Sequence, residues 1–282
     1  MSVTPFQLTT DEGLPIRGDL HVPRSGGGRV IVCVHGFKGF KDWGFWPETA
    51  RRLCEAGYGV VRFNFSHSGI GEDLENFTEV ALFESGTYSR EAEDLRLVLR
   101  ALADGQIGAA RDLDRGRPGL IGHSRGAVSV LAVAAAQPVG PIVLWNPVSS
   151  LIWWDEEARR KWRETGAWQT VNKRTGQTFA VTTGLLDDAE NNRDALHPVA
   201  NAARIQTPLL VIVAVDDESV PPEAGRRLAR AAPAGRGSLR ELSGTGHTFG
   251  AAHPWKETPA AFEAALAATL EHFDRTLAGG RA

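Results

Sequence analysis

The sequence predicts one α/β domain built on a central, mostly parallel sheet. Two observations carry that prediction. Solid apolar runs of strand length, such as RVIVCVHG, GPIVLWNP and TPLLVIVAV, alternate with longer helical patterns. An alternating hairpin pattern precedes the first solid run, as expected for an antiparallel pair in front of parallel strands.

The elements follow in order. VTPFQLT and LPIRGDLHV flank Asp11-Glu12-Gly13 and read as the hairpin. Ser25 to Gly28 is a loop, and RVIVCVHG is a strand buried on both faces. Pro47 to Ala56 is a helix, with Pro47 near its start and Gly57 just past its end. GVVRFNF is the next strand. Ser89 to Leu102 is an amphipathic helix whose Ala92, Leu95, Leu99 and Leu102 share a face. PGLIG is a strand and Arg125 to Ala136 a helix. GPIVLWNP and TPLLVIVAV are strands, Pro222 to Ala232 a helix, GSLREL a short strand and Thr258 to Leu277 the last helix.

One segment breaks the alternation. Residues 147–201 separate two strands and are far longer than an ordinary crossover. They contain a charged helical piece, Asp155 to Glu164, and a small hairpin over Thr170 to Thr178. We expect a single domain over 1–282, with 147–201 as a cap-like insertion packed over one edge of the sheet.

Composition narrows the function. The 282 residues carry a net charge of −3, with 42% hydrophobic and 23% charged residues, an ordinary balance for a soluble globular protein. No strong positive field exists to hold a nucleic acid. No apolar run reaches the roughly 18 residues of a membrane span. The start MSVTPFQLTTDEG lacks the basic and apolar parts of a secretory signal. Cys33 and Cys54 lie inside apolar or helical patterns and read as buried free thiols. A cytoplasmic location is the expectation.

The stretch PGLIGHSRGAVSVLAVAAA carries the chemistry. Gly-His-Ser-Arg-Gly stands where a strand has ended and a helix begins. That context holds the Ser124 hydroxyl on a tight turn above the sheet, with the helix N-terminus favouring negative charge nearby. Gly122 and Gly126 leave room for the neighbouring strand and helix. A serine hydroxyl needs a base, and the base needs an orienting acid. On such a scaffold the acid follows a later strand and the histidine follows the last one. Asp216, Asp217 and Glu218 stand at the end of TPLLVIVAV, and His247 stands in the loop after GSLREL. Ligands of open α/β sheets gather at these carboxyl ends.

With these residues in place, the chain resembles an α/β-hydrolase-fold serine hydrolase over nearly its whole length. His35-Gly36-Phe37 matches the family's His-Gly-x loop, and FNFSHSGIGE its spaced-glycine segment. The family's Asp-x-x-Val-Pro fits Asp217 to Pro221 and selects Asp217 over Asp216; its Gly-His fits Gly246-His247. The resemblance implies Ser124 as nucleophile, His247 as general base then acid, and Asp217 as its orienter. It implies an oxyanion hole made by the backbone N–H groups of Phe37 and Arg125. HGF in place of HGGG implies the narrower oxyanion loop of esterases, acyl hydrolases and peptidase-like members. The feruloyl-esterase-like, dienelactone-hydrolase-like and peptidase S9-like branches are the nearest in pattern. Asn146, at the other strand end where some members place the acid, has no charge.

The remaining polar candidates read as structural. His35 ties the oxyanion loop, His123 packs, the Arg125 guanidinium forms an ion pair or meets solvent, and Asp216 is solvated. His247 and His253 share a loop without the partners of a metal site, and no cofactor is expected. Seven of the eight tryptophans flank the two loops expected to roof Ser124. Most should be core; at least one of Phe37, Trp43, Trp46 and Trp153 should line an apolar or aromatic pocket for an acyl or aryl group.

The expected activity is carboxylic-ester hydrolysis on a small molecule with an apolar or aromatic group. Thioester, peptide or amide cleavage uses the same constellation, and a slow-turnover ligand sensor is the reading from another class. The oligomeric state is not written in the sequence.

Overall fold

A computed structural model describes residues 1–108 and 113–277. The elements, in chain order, are β1 (Ser2–Thr9), β2 (Pro15–Val22), β3 (Gly28–Val34), α1 (Phe45–Glu55), β4 (Gly59–Phe63), α2 (Val80–Glu84), α3 (Tyr88–Ala103), β5 (Leu113–His123), α4 (Gly126–Ala136) and β6 (Ile142–Trp145). Then come α5 (Glu156–Thr165), β7 (Ala167–Val171), β8 (Thr178–Thr182), α6 (Gly184–Asn191), α7 (Arg193–Leu196), α8 (Pro198–Ala202), β9 (Leu209–Ala214), α9 (Pro222–Ala231), β10 (Gly237–Leu242) and α10 (Ala260–Leu277).

Eight strands form one sheet in the order β1-β2-β4-β3-β5-β6-β9-β10. β1 pairs antiparallel with β2, and β2 antiparallel with β4. Every later pair is parallel. This is the mostly parallel sheet with an N-terminal antiparallel hairpin that the apolar runs predict.

The central strands read as solid apolar runs because both faces are covered. Side chains alternate between the faces with period two. Val32, Val34, Leu120, Ile142, Leu144, Val211 and Val213 enter a core shared with α3, α4, α8 and α9. Ile31, Cys33, Ile121, Val143, Trp145, Leu210 and Ile212 enter a second core beneath α1 and α10. The second core is aromatic. Trp145 lies flat on Trp46 at 5.7 Å and edge-on to Phe45 and Phe262, and its indole N–H donates to Thr269 Oγ1 at 3.0 Å. A buried indole N–H so paired costs nothing in desolvation. Cys33 and Cys54 are buried free thiols, and burial pushes the Cys33 thiol up to about 12.

The segment between β6 and β9 holds α5, the β7–β8 hairpin, α6, α7 and α8. The hairpin is wider than the sequence shows: Ala167–Val171 pairs with Thr178–Thr182, and 172–177 is the turn. The segment meets the loops at the carboxyl edge of the sheet, where Lys38 donates to Thr170 Oγ1 and to the Val171 carbonyl, and it pairs with no strand of the large sheet. Its Leu151, Trp154, Trp162, Phe179, Val181, Leu185 and Leu186 form a third core with Phe40, Phe77, Phe83, Tyr88, Ala92, Val128 and Ala132. None of these body residues belongs to the large sheet, so the segment sits on the start of α3, one face of α4 and the chain from Phe77 to Phe83. Trp162 donates its indole N–H to the Val181 carbonyl at 2.9 Å. No described helix is long and apolar enough to cross a membrane.

Phe262 is fully buried between Phe45, Trp145 and Trp255. Phe262→Ala is expected to cost about 3–5 kcal/mol, the usual cost of an emptied aromatic site. Urea unfolding should show the drop in midpoint with little change in slope.

Candidate functional site

Strand register brings the candidate residues to one edge. His123 is level with Trp145, and Trp145 with Ile212; Gly122 is level with Val34. The next residues along these strands are therefore neighbours: His35 after β3, Ser124 after β5, Asn146 after β6. Asp217 follows β9 by three residues. Leu242 is level with Ala214, so the loop to His247 leaves β10 beside the Asp217 turn.

The backbone at this edge is strained. Lys38, Ser124, Asn146 and Phe249 are the described non-glycine residues with positive φ, at 58°, 54°, 43° and 53°. All four lie in the loops around Ser124. Such conformations cost on the order of 1–3 kcal/mol each and persist where the surroundings over-determine them. At Ser124 the surroundings are explicit. Its N–H donates to the Trp145 carbonyl at 2.9 Å, and its carbonyl accepts from Ala127 and Val148. A Cβ on Gly126 would stand 2.6 Å from the His35 carbonyl oxygen and 2.7 Å from that of Val34. A Cβ on Gly36 would stand 2.9 Å from Ser124 Cβ and 3.4 Å from the Arg125 nitrogen. Only glycines let the His35–Phe37 loop and the start of α4 approach this closely.

Two amides meet there unspent. Among the described residues, the N–H groups of Phe37 and Arg125 donate to no protein acceptor. Arg125 caps α4, so its N–H also carries the partial positive charge of a helix start.

His247 and Asp217 are joined: His247 Nδ1 lies 2.7 Å from Asp217 Oδ2. The other carboxylate oxygen accepts from the N–H groups of Ser219 at 2.7 Å and Val220 at 2.9 Å. Burial alone would raise the Asp217 pKa; the His247 bond and charge with the two N–H donors outweigh it and hold the carboxyl below its usual range. Asp217 is thus an ionised acceptor, and His247 donates from Nδ1 and presents Nε2. Among the described residues no hydrogen bond joins His247 Nε2 to Ser124 Oγ. Such contacts commonly tighten only with substrate in place.

What holds the His247 loop is less visible in the sequence. Asn146 Nδ2 donates to the His247 carbonyl at 2.8 Å, while its Oδ1 accepts from the Ala214 N–H at 2.6 Å. His123 Nε2 donates to the same carbonyl at 3.0 Å, and the two imidazoles stand 4.8 Å apart. Burial, then the neighbouring His247, push His123 down to about 3, so it stays a neutral donor. His123 is therefore more than packing: with Asn146 it clamps His247 beside the residue preceding Ser124. The signal for Asn146 was its place after a strand end, level with the Ser124 turn.

The remaining candidates separate. His35 bonds the Gly36 carbonyl at 3.0 Å and accepts from the Phe65 N–H at 3.4 Å, and burial lowers it to about 4. Asp216 is exposed and accepts from the Gly244 N–H. The Arg125 guanidinium pairs with Glu91. His253 accepts from the Gly44 N–H at 3.0 Å. Among the described residues no group of His, Cys, Asp and Glu could hold a metal ion.

Of the tryptophans expected to line a pocket, Trp46 needs correction. Trp46 is 2% exposed and lies flat on Trp145 in the core, out of reach of any substrate. Trp43 is packed against Phe45 and His253. Trp153 is 61% exposed on the inserted segment, stacked on Trp154. Phe37 lines a small cleft of about 20 Å³ shared with Phe65, Phe83, His67, Ser68 and Glu91. A larger open depression of about 460 Å³ lies on the inserted segment, around Leu151, Arg159 and Arg193, and contains none of the candidate catalytic residues.

Comparison with known proteins fits this geometry. The chain is similar to the esterase domain of a Rhodothermus marinus protein, at 19% identity and TM-score 0.63, covering 98% of each chain. It is similar to Est1E from Butyrivibrio proteoclasticus with ferulic acid bound, at 17% identity and TM-score 0.67, covering 97% of this chain and 99% of that one. It is also similar to a monoacylglycerol lipase from Paleococcus ferrophilus, at 17% identity and TM-score 0.64, covering 96% and 98%. At these identities the likeness concerns the fold. No curated protein matches by sequence.

Replacing Asn146 by Asp removes the donor to the His247 carbonyl and sets a carboxylate against it. We expect about 1–3 kcal/mol of lost stability and a lower kcat, read by thermal unfolding and initial rates on one preparation.

The profile of the Alpha/beta hydrolase family matches residues 31–265, most of the chain, and the chain belongs to that family.

Proposed function

We propose that the protein is a serine hydrolase that cleaves carboxylic esters through an acyl-enzyme. The observation that carries this reading is the 2.7 Å His247–Asp217 bond, held beside a Ser124 of positive φ that two unspent amides flank. Ser124 Oγ attacks the ester carbonyl while His247 Nε2 takes its proton. Asp217 accepts from Nδ1 and stabilises the imidazolium. The Phe37 and Arg125 amides receive the developing oxyanion. His247 then protonates the leaving alcohol, and water repeats the sequence to release the acid and restore Ser124.

The ester preference draws support from the esterase and lipase among the similar structures. Phe37 and Phe83, stacked at 5.1 Å, offer an aromatic wall beside the Phe37 amide, which suits an apolar acyl or aryl group.

Ser124→Ala is expected to abolish hydrolysis of p-nitrophenyl esters and labelling by a fluorophosphonate probe, with the adduct of the unmodified protein mapping to Ser124. Labelling elsewhere, or activity that survives the substitution, refutes the nucleophile. A panel of esters, thioesters and aryl amides separates the reactions that share this constellation. Asp217→Asn should preserve the fold and lower kcat by about 10³–10⁴-fold, because the imidazole loses its tautomer and its counter-charge. Steady-state rates against thermal unfolding separate the two effects.

A further inference from the structure

Arg125 is buried with its charge and held from three sides. Its Nε donates to Glu91 Oε2 at 3.1 Å, and Nη2 lies 3.0 Å from Glu91 Oε1. The guanidinium stands 4.3 Å from the Tyr88 ring centroid and 5.3 Å from that of Phe37. Tyr88 is fixed in turn by its hydroxyl, which donates to the Leu151 carbonyl at 2.8 Å. One side chain therefore touches the residue that carries the first candidate oxyanion donor and belongs to the residue that carries the second. Glu91 itself borders the small cavity that Phe37 lines.

A buried ion pair is a poor way to add stability, since apolar residues of the same shape often serve as well or better. Its distinguishing property is geometry: two parallel bonds fix a planar fork in position and angle. We propose that the Glu91–Arg125 pair is a positioning device for the oxyanion hole, with the Glu91 carboxylate fixing the guanidinium and the guanidinium fixing the Phe37 ring and so the 36–38 peptides. This rests on the oxyanion assignment proposed above. Neither side chain touches the reacting atoms, so both are positioning residues.

The pair has a built-in pH readout. Burial pushes Glu91 up to about 7, against the pull of Arg125. The other charged or titratable groups around it are Tyr88 and Asp94 on its own helix, Asp188 on α6, and His35, Lys38 and His67 around the cavity. Burial holds His35 and His67 down to about 4, and keeps the Tyr88 hydroxyl protonated by pushing it up to about 12. As pH falls through about 7, Glu91 takes up a proton and the charge that holds Arg125 is lost.

The test compares Glu91→Gln with the unmodified protein on a p-nitrophenyl ester from pH 5 to 9, at temperatures where both are folded. The ratio of their kcat values removes the titrations the two share. It should rise from near one below pH 6 to about tenfold above pH 8, a loss that fits a sub-ångström displacement of the donors. KM should move by less than about twofold, because the donors act in the transition state. Fluorophosphonate labelling should slow in parallel. Arg125→Lys keeps the charge and both amides but not the fork; it should lose kcat with KM preserved, and it carries the test if Glu91→Gln does not fold. A ratio near one at every pH, or unchanged kcat in Arg125→Lys, overturns the proposal while Ser124→Ala remains inactive. Hydrolysis that survives Ser124→Ala overturns the oxyanion assignment as well.

Discussion

The site depends on one close approach of backbones. The loop after β3 and the turn after β5 pass so near each other that Gly36 and Gly126 have no room for a Cβ. That contact sets the spacing between the Phe37 and Arg125 amides, and it holds Ser124 at φ 54°. The cost of that strained turn is met by ordinary interactions: the Ser124 N–H on the Trp145 carbonyl, and the packing of α4 on β3, β5 and β6. Stability stored in the parallel strands is thus converted into the placement of a hydroxyl. The conversion works because strand register is stiff; a one-residue slip would turn every side chain to the other face.

Around that approach, burial sorts the titratable groups. His35 and His123 sit within contact of the turn, yet burial keeps both neutral, and each serves as a fixed hydrogen-bonding part. The carboxylates there have partners: Asp217 bonds His247 on one side of Ser124, and Glu91 pairs with Arg125 on the other. Farther out, Lys41 and Arg62 share Asp19 and Asp42, and Arg62 also bonds the Lys41 carbonyl. This last network fastens the chain that follows the His35–Phe37 loop to β2 and β4. Among the described residues no buried charge near Ser124 stands alone, which is what the cost of burying an unpaired ion requires.

Much of this was legible in the sequence, for a physical reason. A residue at a strand end is positioned by the strand, and strands announce themselves as apolar runs. Ser124, Asp217 and His247 could be placed because RVIVCVHG, PGLIG, TPLLVIVAV and GSLREL are local signals. Their partners were not legible. Asn146 and His123 act by donating to one carbonyl across the sheet; a strand end marks where Asn146 stands, but nothing local marks the carbonyl it will bond. Glu91 looked like the polar start of an amphipathic helix; only the approach of α3 to α4 shows that its carboxylate is buried against Arg125. Trp46 failed as a pocket residue because sequence proximity to Phe37 says nothing about which side of α1 faces the sheet. The inserted segment's partners were not legible either, since its apolar residues match the helices it covers and pair with no strand of the large sheet.

That last feature bears on how selectivity can be built. The strand ends fix Ser124, Asp217 and the Arg125 amide, and the inserted segment adds the Val148 N–H on the Ser124 carbonyl at its very start. Phe37 is different. Its ring lies against Arg125 and Phe83 of the body and, 6.0 Å away, against Trp168 of β7. The next residue, Lys38, donates to Thr170 Oγ1 and to the Val171 carbonyl on the same strand, both at 2.7 Å. One of the two amides read as oxyanion donors therefore sits on a seam between body and insertion, while the other lies wholly in the body. Shifts of the hairpin would be felt at Phe37 and not at Ser124. In the reading proposed here, the insertion can change how well the transition state is held without altering the nucleophile or its base, so chemistry and selection are carried by separate parts of the chain.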